Sequence, residues 1–219
     1  NRARMFGEDV RAADESDYRI ERALDGNRAY DSLGMGWMYR TNELTAAIAR
    51  AQLRKLDAFN AAAQTSATAL SKRLAKLSGV SPPIVADGDT SCFHKYRVRL
   101  DARGHGLDAP AARVRDAVRA ALVAEGVEAV LWQSKPVPAQ GLFRNRAGLG
   151  GRPCPWDHGA PVDYDLAQYP ESTRLLESSL VLFSHTCPIA PQPPSLVEAY
   201  ADAFEQVWAR LDEVVAKAA

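Results

Sequence analysis

The sequence predicts an α/β protein in which helices lie on a three-stranded sheet, and three observations carry that expectation. Residues 42–78 are alanine-heavy and hold no Pro or Gly until Gly79, as a long helical region requires. Residues 94–100 alternate, with Tyr96, Val98 and Leu100 apolar between Lys95, Arg97 and Arg99, which is the period of a strand with one wet face. Beyond the long helix the periodicity changes in the order strand, helix, strand, long loop, strand, helix. That order folds into a compact layer of helices on a sheet.

Taken along the chain, residues 1–33 are polar and charge-dense, with loop and turn signals at Asp14–Asp17 and Gly26-Asn27. They read as a short helix or strand end followed by a surface loop. The long helix opens at Thr41 or Asn42 as N-cap, with Glu43 in a first turn where the helix dipole favours a carboxylate. Leu44, Ala47, Ile48, Ala51, Leu53 and Leu56 recur at helical spacing, so the helix is expected to pack closely against something, with a kink near Asn60. Ser81-Pro82-Pro83 stops it.

Residues 110–125 form an amphipathic helix through Val114, Ala117, Val118, Ala121 and Leu122, closed by Gly126. Residues 127–131 make a second strand. The Pro- and Gly-rich stretch 133–170 lacks periodicity and reads as one long loop, a kind of segment that is usually functional or disordered. Residues 180–183 make a third strand. Residues 195–215 form a terminal helix with Val197, Tyr200, Ala201, Phe204, Val207, Trp208, Leu211 and Val215 on its apolar face.

At 219 residues and 47% hydrophobic, the chain can bury one substantial core or two small ones. Its formal net charge is zero, with basic residues dispersed among carboxylates, so neither nucleic acid nor an acidic membrane is indicated as a partner. No apolar run approaches the ~20 residues that span a bilayer, and the opening residues show no basic-then-apolar pattern that would support a secretory signal. Three cysteines fit a reducing, cytoplasmic setting better than a disulfide framework.

The stretch 34–60, GMGWMYRTNELTAAIARAQLRKLDAFN, carries more specific information. It resembles the G-x-N-Y-R-M-x-E-x-x-A-A-x-x-x-x-Q-L-x-x-L-D segment of the DegT/DnrJ/EryC1/StrS aminotransferases. Gly36, Tyr39, Arg40, Glu43, Ala46, Ala47, Gln52, Leu53, Leu56 and Asp57 stand at matching positions in one ungapped run. One position departs: Met38 stands where the family has Asn. The resemblance implies pyridoxal 5'-phosphate as cofactor and the transferase fold of type I. Residues 1–57 would then be the tail of the large cofactor-binding domain with the start of a bridging helix. Residues 58–219 would be the C-terminal small α/β domain.

The activity so implied moves an amino group from glutamate or glutamine to a keto-sugar, inosose or related cyclic ketone. The opening NRARMFGEDV reads as a chain already under way, so a fragment is expected, with the Schiff-base lysine upstream of it. None of Lys55, Lys72, Lys76, Lys95, Lys135 or Lys217 sits in a fitting context. No catalytic residue is therefore assigned, and the chain by itself is expected to be inactive. The alternative is a non-catalytic relative that binds or pairs with an active subunit, and Met38 is the feature in its favour.

The resemblance also implies site residues. The turn 36–40 would reach across a homodimer, bringing Tyr39 and Arg40 to the partner's cofactor, and Arg40 to the substrate pocket. A guanidinium fork suits a phosphate dianion, whereas a Met side chain offers it no donor. The plainer alternative is that Tyr39 and Arg40 cap and pack the helix start. His94 and Lys95 open the first strand in an H-x-Y element that the family places near the substrate channel; a surface or interface histidine is the competing reading.

His185 reads as structural. Trp132 and Trp156 bracket the long loop as anchors, with carbohydrate stacking a weaker reading. Cys92-x-His94, His185-x-Cys187 and Cys154-x₃-His158 match no paired zinc spacing, so no metal is expected. The glycines of 148–151 follow no strand and open no helix, which makes them a turn and not a phosphate loop.

Overall fold

The computed structural model describes residues 41–133, 135–146 and 153–218. Met38, Tyr39, Arg40 and the glycines of 148–151, which the sequence reads as a turn, lie outside the described residues. The chain divides into two compact units, Asn1–Leu56 and Asp57–Ala219.

In the first unit, α1 (Glu43–Leu53) starts at Asn42, whose side chain accepts the Thr45 N–H at 2.8 Å. Of the two N-cap candidates, Asn42 is thus the cap. None of the residues of α1 is buried, and Leu44, Ile48 and Leu53 are exposed. Among the described residues, nothing covers the apolar stripe that the sequence spacing places on α1. The second helix, α2 (Leu56–Leu74), follows after a two-residue break. The break falls at Arg54-Lys55 and not near Asn60, because the Lys55 N–H bonds the Gln52 carbonyl three residues back and tightens the last turn.

The second unit contains a sheet of four strands, one more than the sequence suggested. The strands β1 (Val80–Ser81), β2 (Tyr96–Leu100), β3 (Ala129–Val130) and β4 (Ser179–Leu182) lie in the order β1-β2-β4-β3, all antiparallel. Two residues of β1 are too few to show a period, and Pro82-Pro83 confines that strand to an edge. The expected strand at 94–100 begins two residues later. All four residues of β4 are buried, as befits a strand with neighbours on both sides.

Helix α3 (Ala111–Ala124) buries Val114, Ala117, Val118 and Leu122, and Gly126 follows its cap at a φ of 84°. It packs on α6 (Pro194–Ala209) and α7 (Leu211–Lys217). These two replace the single terminal helix expected, with the break at Arg210. The stretch read as one loop also carries α4 (Gly141–Asn145) and gives way to α5 (Pro170–Glu177), a helix that uses Pro170 in its first turn, where the missing N–H costs nothing.

The core gathers Ala63, Ala67, Leu70 and Leu74 of α2 with Val98 and Leu100 of β2, Leu180 and Leu182 of β4, and Phe204 and Leu211 of the terminal helices. Each fully buried leucine contributes roughly 1.5–3 kcal/mol. Two polar contacts fasten α2 to its surroundings. The Ser71 and Tyr96 hydroxyls share a hydrogen bond of 2.7 Å, and Arg73 donates to Glu205 at 2.8 Å and to Asp202 at 2.6 Å. The burial of α2 puts the second unit's first helix into the core, which the alanine-rich sequence permits by close approach.

Candidate functional site

The register of the sheet gathers chemistry at one end. Tyr96 opposes Leu182, and Leu182 opposes Ala129, so the start of β2, the exit of β4 and the start of β3 come together. Two aromatic residues flank this end in the left-handed region, Phe93 at a φ of 45° and Phe183 at 54°. Bulky side chains seldom adopt that conformation, and packing must hold them there. Phe183 is fully buried and stacks on Tyr200 with centroids 4.4 Å apart. The turn at Phe183 redirects the chain and presents Ser184, His185 and Thr186 beside the sheet end.

Four side chains meet there. The Lys95 ammonium lies 3.3 Å above the centre of the Trp132 ring, and it also lies 2.7 Å from His94 Nε2, to which it can donate. His185 meets the same indole edge-on, with centroids 6.2 Å apart. Trp132 remains 45% exposed, so part of the ring is open to a ligand. Among the described residues, no carboxylate lies within salt-bridge distance of His94, Lys95 or His185. A lysine over an indole face is a favourable cation–π pair, and one left without a carboxylate keeps its charge available.

Glu128, immediately before β3, holds the loop that carries His185. One carboxylate oxygen accepts the Ser184 backbone N–H at 2.9 Å. The other accepts the Ser184 hydroxyl at 2.5 Å and also the Thr186 hydroxyl. The Glu128 N–H donates in turn to the Tyr200 hydroxyl at 3.1 Å. Burial pushes the Tyr200 phenol above its ordinary value. Ser184 is fully buried, so its two donors depend on Glu128.

The structure thus brings the sequence candidates His94 and Lys95 together with two residues given other roles. His185 reads from sequence as structural, yet its ring faces the indole. Trp132 reads as an anchor, yet it is the platform that Lys95 and His185 both meet, with His94 joined to it through Lys95. Glu128 carried no signal at all, since a single Glu ahead of a short strand has no distinguishing pattern.

A second grouping arises at residues 153–158. The ligand atoms of Cys154, Asp157 and His158 lie within 4.8 Å of one another, gathered by a turn and not by a regular strand or a paired motif. The Trp156 indole donates to the Tyr164 hydroxyl at 2.8 Å, and Phe143 meets Trp156 edge-on. Cys154 is half-buried, and Asp157 and His158 are exposed.

The described lysines offer no enclosed seat for a cofactor. Lys55, Lys72, Lys76, Lys135 and Lys217 are exposed, Lys72 beside an open groove on α2, and Lys95 is engaged with Trp132.

The sequence model of the DegT/DnrJ/EryC1/StrS aminotransferase family matches residues 12–157, two thirds of the chain. The chain belongs to the DegT/DnrJ/EryC1/StrS aminotransferase family. Enzymes of this family depend on pyridoxal phosphate. The described residues alone do not form a complete seat for that cofactor, and Tyr39 and Arg40 lie outside them.

Among similar proteins, Protein MosB of Rhizobium meliloti is 24% identical over 197 residues, which cover 89% of this chain and 36% of that protein. The UDP-N-acetyl-3-dehydro-α-D-glucosamine 3-aminotransferase of Acidithiobacillus ferrooxidans is 29% identical over 163 residues, 71% of this chain and 40% of that enzyme. The chain therefore spans well under half the length of either relative. Among solved structures, the aminotransferase TlmJ of Streptoalloteichus hindustanus aligns with a TM-score of 0.61 at 22% identity, covering 84% of this chain and 41% of that one. That likeness is one of fold: α/β with a small antiparallel sheet, as in the aminotransferases of fold type I.

Proposed function

We propose that this chain is part of a pyridoxal-phosphate aminotransferase that moves an amino group from glutamate or glutamine to a keto-sugar, inosose or related cyclic ketone. The observation that carries the reading is the family match over residues 12–157, which includes residues 36–40 and reaches into the second unit. Similarity to a 3-aminotransferase of an N-acetyl-dehydroglucosamine nucleotide supports a keto-sugar acceptor. Residues 58–219 serve as the small domain, and residues 1–57 as the tail of the large one with the start of the bridging helix.

When bound, pyridoxal phosphate supplies the electron sink for the transfer. The chain's own residues bind and orient. Lys95 and His94 line the substrate pocket, where the ammonium attracts the carboxylate of the amino donor. Trp132 forms an apolar wall that excludes water from that ion pair and strengthens it. Tyr39 and Arg40 act in trans, Arg40 toward both cofactor and substrate, and this makes the working form a homodimer in the cytoplasm. No helix among the described residues is long and apolar enough to cross a membrane.

The test is an absorbance titration of the intact protein with pyridoxal phosphate, followed by a screen of amino donors. A cofactor band that shifts on adding L-glutamate or L-glutamine is the expected result. No band and no donor response would exclude catalysis and favour the second reading, a non-catalytic member that binds or pairs with an active subunit. Met38 at the family's Asn position is the observation on that side. Sedimentation as a monomer at micromolar concentration would remove the role in trans.

A further inference from the structure

We infer that Glu128 is a positioning residue for the Trp132 site, acting through the loop it straps. The proposal rests on the reading of His94 and Lys95 as substrate-lining, and it adds His185, Trp132 and Glu128 to that reading. Three donors of two residues, the Ser184 N–H and hydroxyl and the Thr186 hydroxyl, converge on the one carboxylate. His185 lies between these two anchors in sequence. With both of its neighbours fixed, its backbone has little freedom, and its ring is held edge-on to Trp132.

The strap has a reason to exist. Phe183 turns the chain in a left-handed conformation unfavourable for a bulky side chain, so the exit of β4 relaxes unless something retains it. Stacking on Tyr200 retains the ring, and Glu128 retains the backbone that follows. Tyr200 also accepts the Glu128 N–H, so the two restraints share one residue. Releasing the carboxylate frees residues 184–186 to relax, which removes His185 from one edge of the indole. Trp132 is then steadied by Lys95 alone, and a ligand must order the ring as it binds. Lost preorganisation of this kind weakens binding more than it slows a bound complex.

The test compares Glu128→Ala, Glu128→Gln and Thr186→Val in the intact protein. Gln can still accept the Ser184 N–H through its oxygen while its amide donates to the two hydroxyls, so it is the conservative rescue. Thr186→Val removes one exposed bond and serves where Glu128→Ala fails to fold. The first readout is the ring-proton resonances of His185 in protein with ¹³C-labelled histidine. They move off the positions that the indole ring current imposes in Glu128→Ala, move in the same direction but less in Thr186→Val, and return toward the parent in Glu128→Gln.

The second readout is the half-reaction with L-glutamate. In Glu128→Ala its KM rises about tenfold while kcat stays within a factor of about three. Unchanged His185 resonances in both Glu128→Ala and Thr186→Val would overturn the proposal. So would kcat falling while KM holds. A parent protein that turns over no glutamate would fail the aminotransferase reading alone, and the resonances would still decide the role of Glu128.

Discussion

The Glu128 carboxylate takes both donors of Ser184, the backbone N–H at 2.9 Å and the hydroxyl at 2.5 Å, and Ser184 is fully buried. A buried donor deprived of its acceptor costs about 1–3 kcal/mol, and losing the acceptor altogether exposes two such donors at once. Glu128→Ala is therefore expected to destabilise the chain by about 2–3 kcal/mol in urea unfolding. Ser184→Ala, which removes one donor with its partner still free to meet the N–H, is expected to cost about 1 kcal/mol. The two changes should not add, because they remove the same bond; a double variant that costs the full sum would separate the residues.

Much of this architecture is legible in the sequence, and the parts that are not have physical reasons. Tyr96, Val98 and Leu100 announce β2 because a strand half covered by a core must alternate. Val80-Ser81 announces nothing, since two residues paired to Leu100 and Arg99 acquire their strand character from the partner. The helix break at Arg54-Lys55 contains neither Gly nor Pro; a tightened hydrogen bond made it, which composition does not record.

At the site, His94 and Lys95 were visible through a motif at a strand start. Their joining to Trp132 and His185 depends on a register that pairs residues more than 80 positions apart in the chain. Glu128 was invisible for the same reason, since its partners lie at 184 and 186.

Tyr96 gives a pH dependence with a definite sign. Burial pushes its phenol up to about 12, and the hydrogen bond with Ser71 works against that. Below the unfolded value near pH ~10 both states keep the proton and the contribution is complete. As the pH rises from there toward 12 the unfolded chain ionises first, so stability declines. The loss is on the order of 2 kcal/mol across that window. Unfolding midpoints measured from pH 9 to 12 should fall in the parent and fall less in Tyr96→Phe, which lacks the ionisable group. Equal slopes in the two proteins would place the alkaline loss elsewhere.

Arg73 links α2 to α6 through Glu205 and Asp202, with side chains 31%, 36% and 59% exposed. Exposure screens the pair, so Arg73→Met is expected to cost no more than about 1 kcal/mol at neutral pH and less in high salt. The hydrogen bond from Arg73 holds the Glu205 carboxyl below its ordinary value, with burial opposing. A depressed carboxylate stabilises the fold above the unfolded value near ~4.3 and loses that contribution as the pH falls through the folded one. The difference between parent and Arg73→Met should thus shrink below about pH 4. Thermal unfolding at pH 3 and 7 checks it.

Gly79 and Gly88 share a backbone conformation and differ in space, so they separate two costs that are usually confounded. Their φ angles are 83° and 86°, both in the left-handed region. A Cβ at Gly88 meets nothing within 4 Å, whereas one at Gly79 collides with the Asp101 carbonyl oxygen and presses on the Trp208 ring. The backbone at Gly79 cannot retreat freely, because its carbonyl accepts the Asp101 N–H at 2.7 Å. Gly88→Ala should accordingly show the conformational cost alone, about 1 kcal/mol. Gly79→Ala should add the collision and exceed about 3 kcal/mol, among the largest effects for a single substitution. Gly104→Ala, whose Cβ would stand 2.7 Å from the Gly79 Cα, probes the same contact from the other side without a positive φ. If urea unfolding ranks Gly104 with Gly88 instead of with Gly79, the close approach of these two backbones is looser than the structure has it.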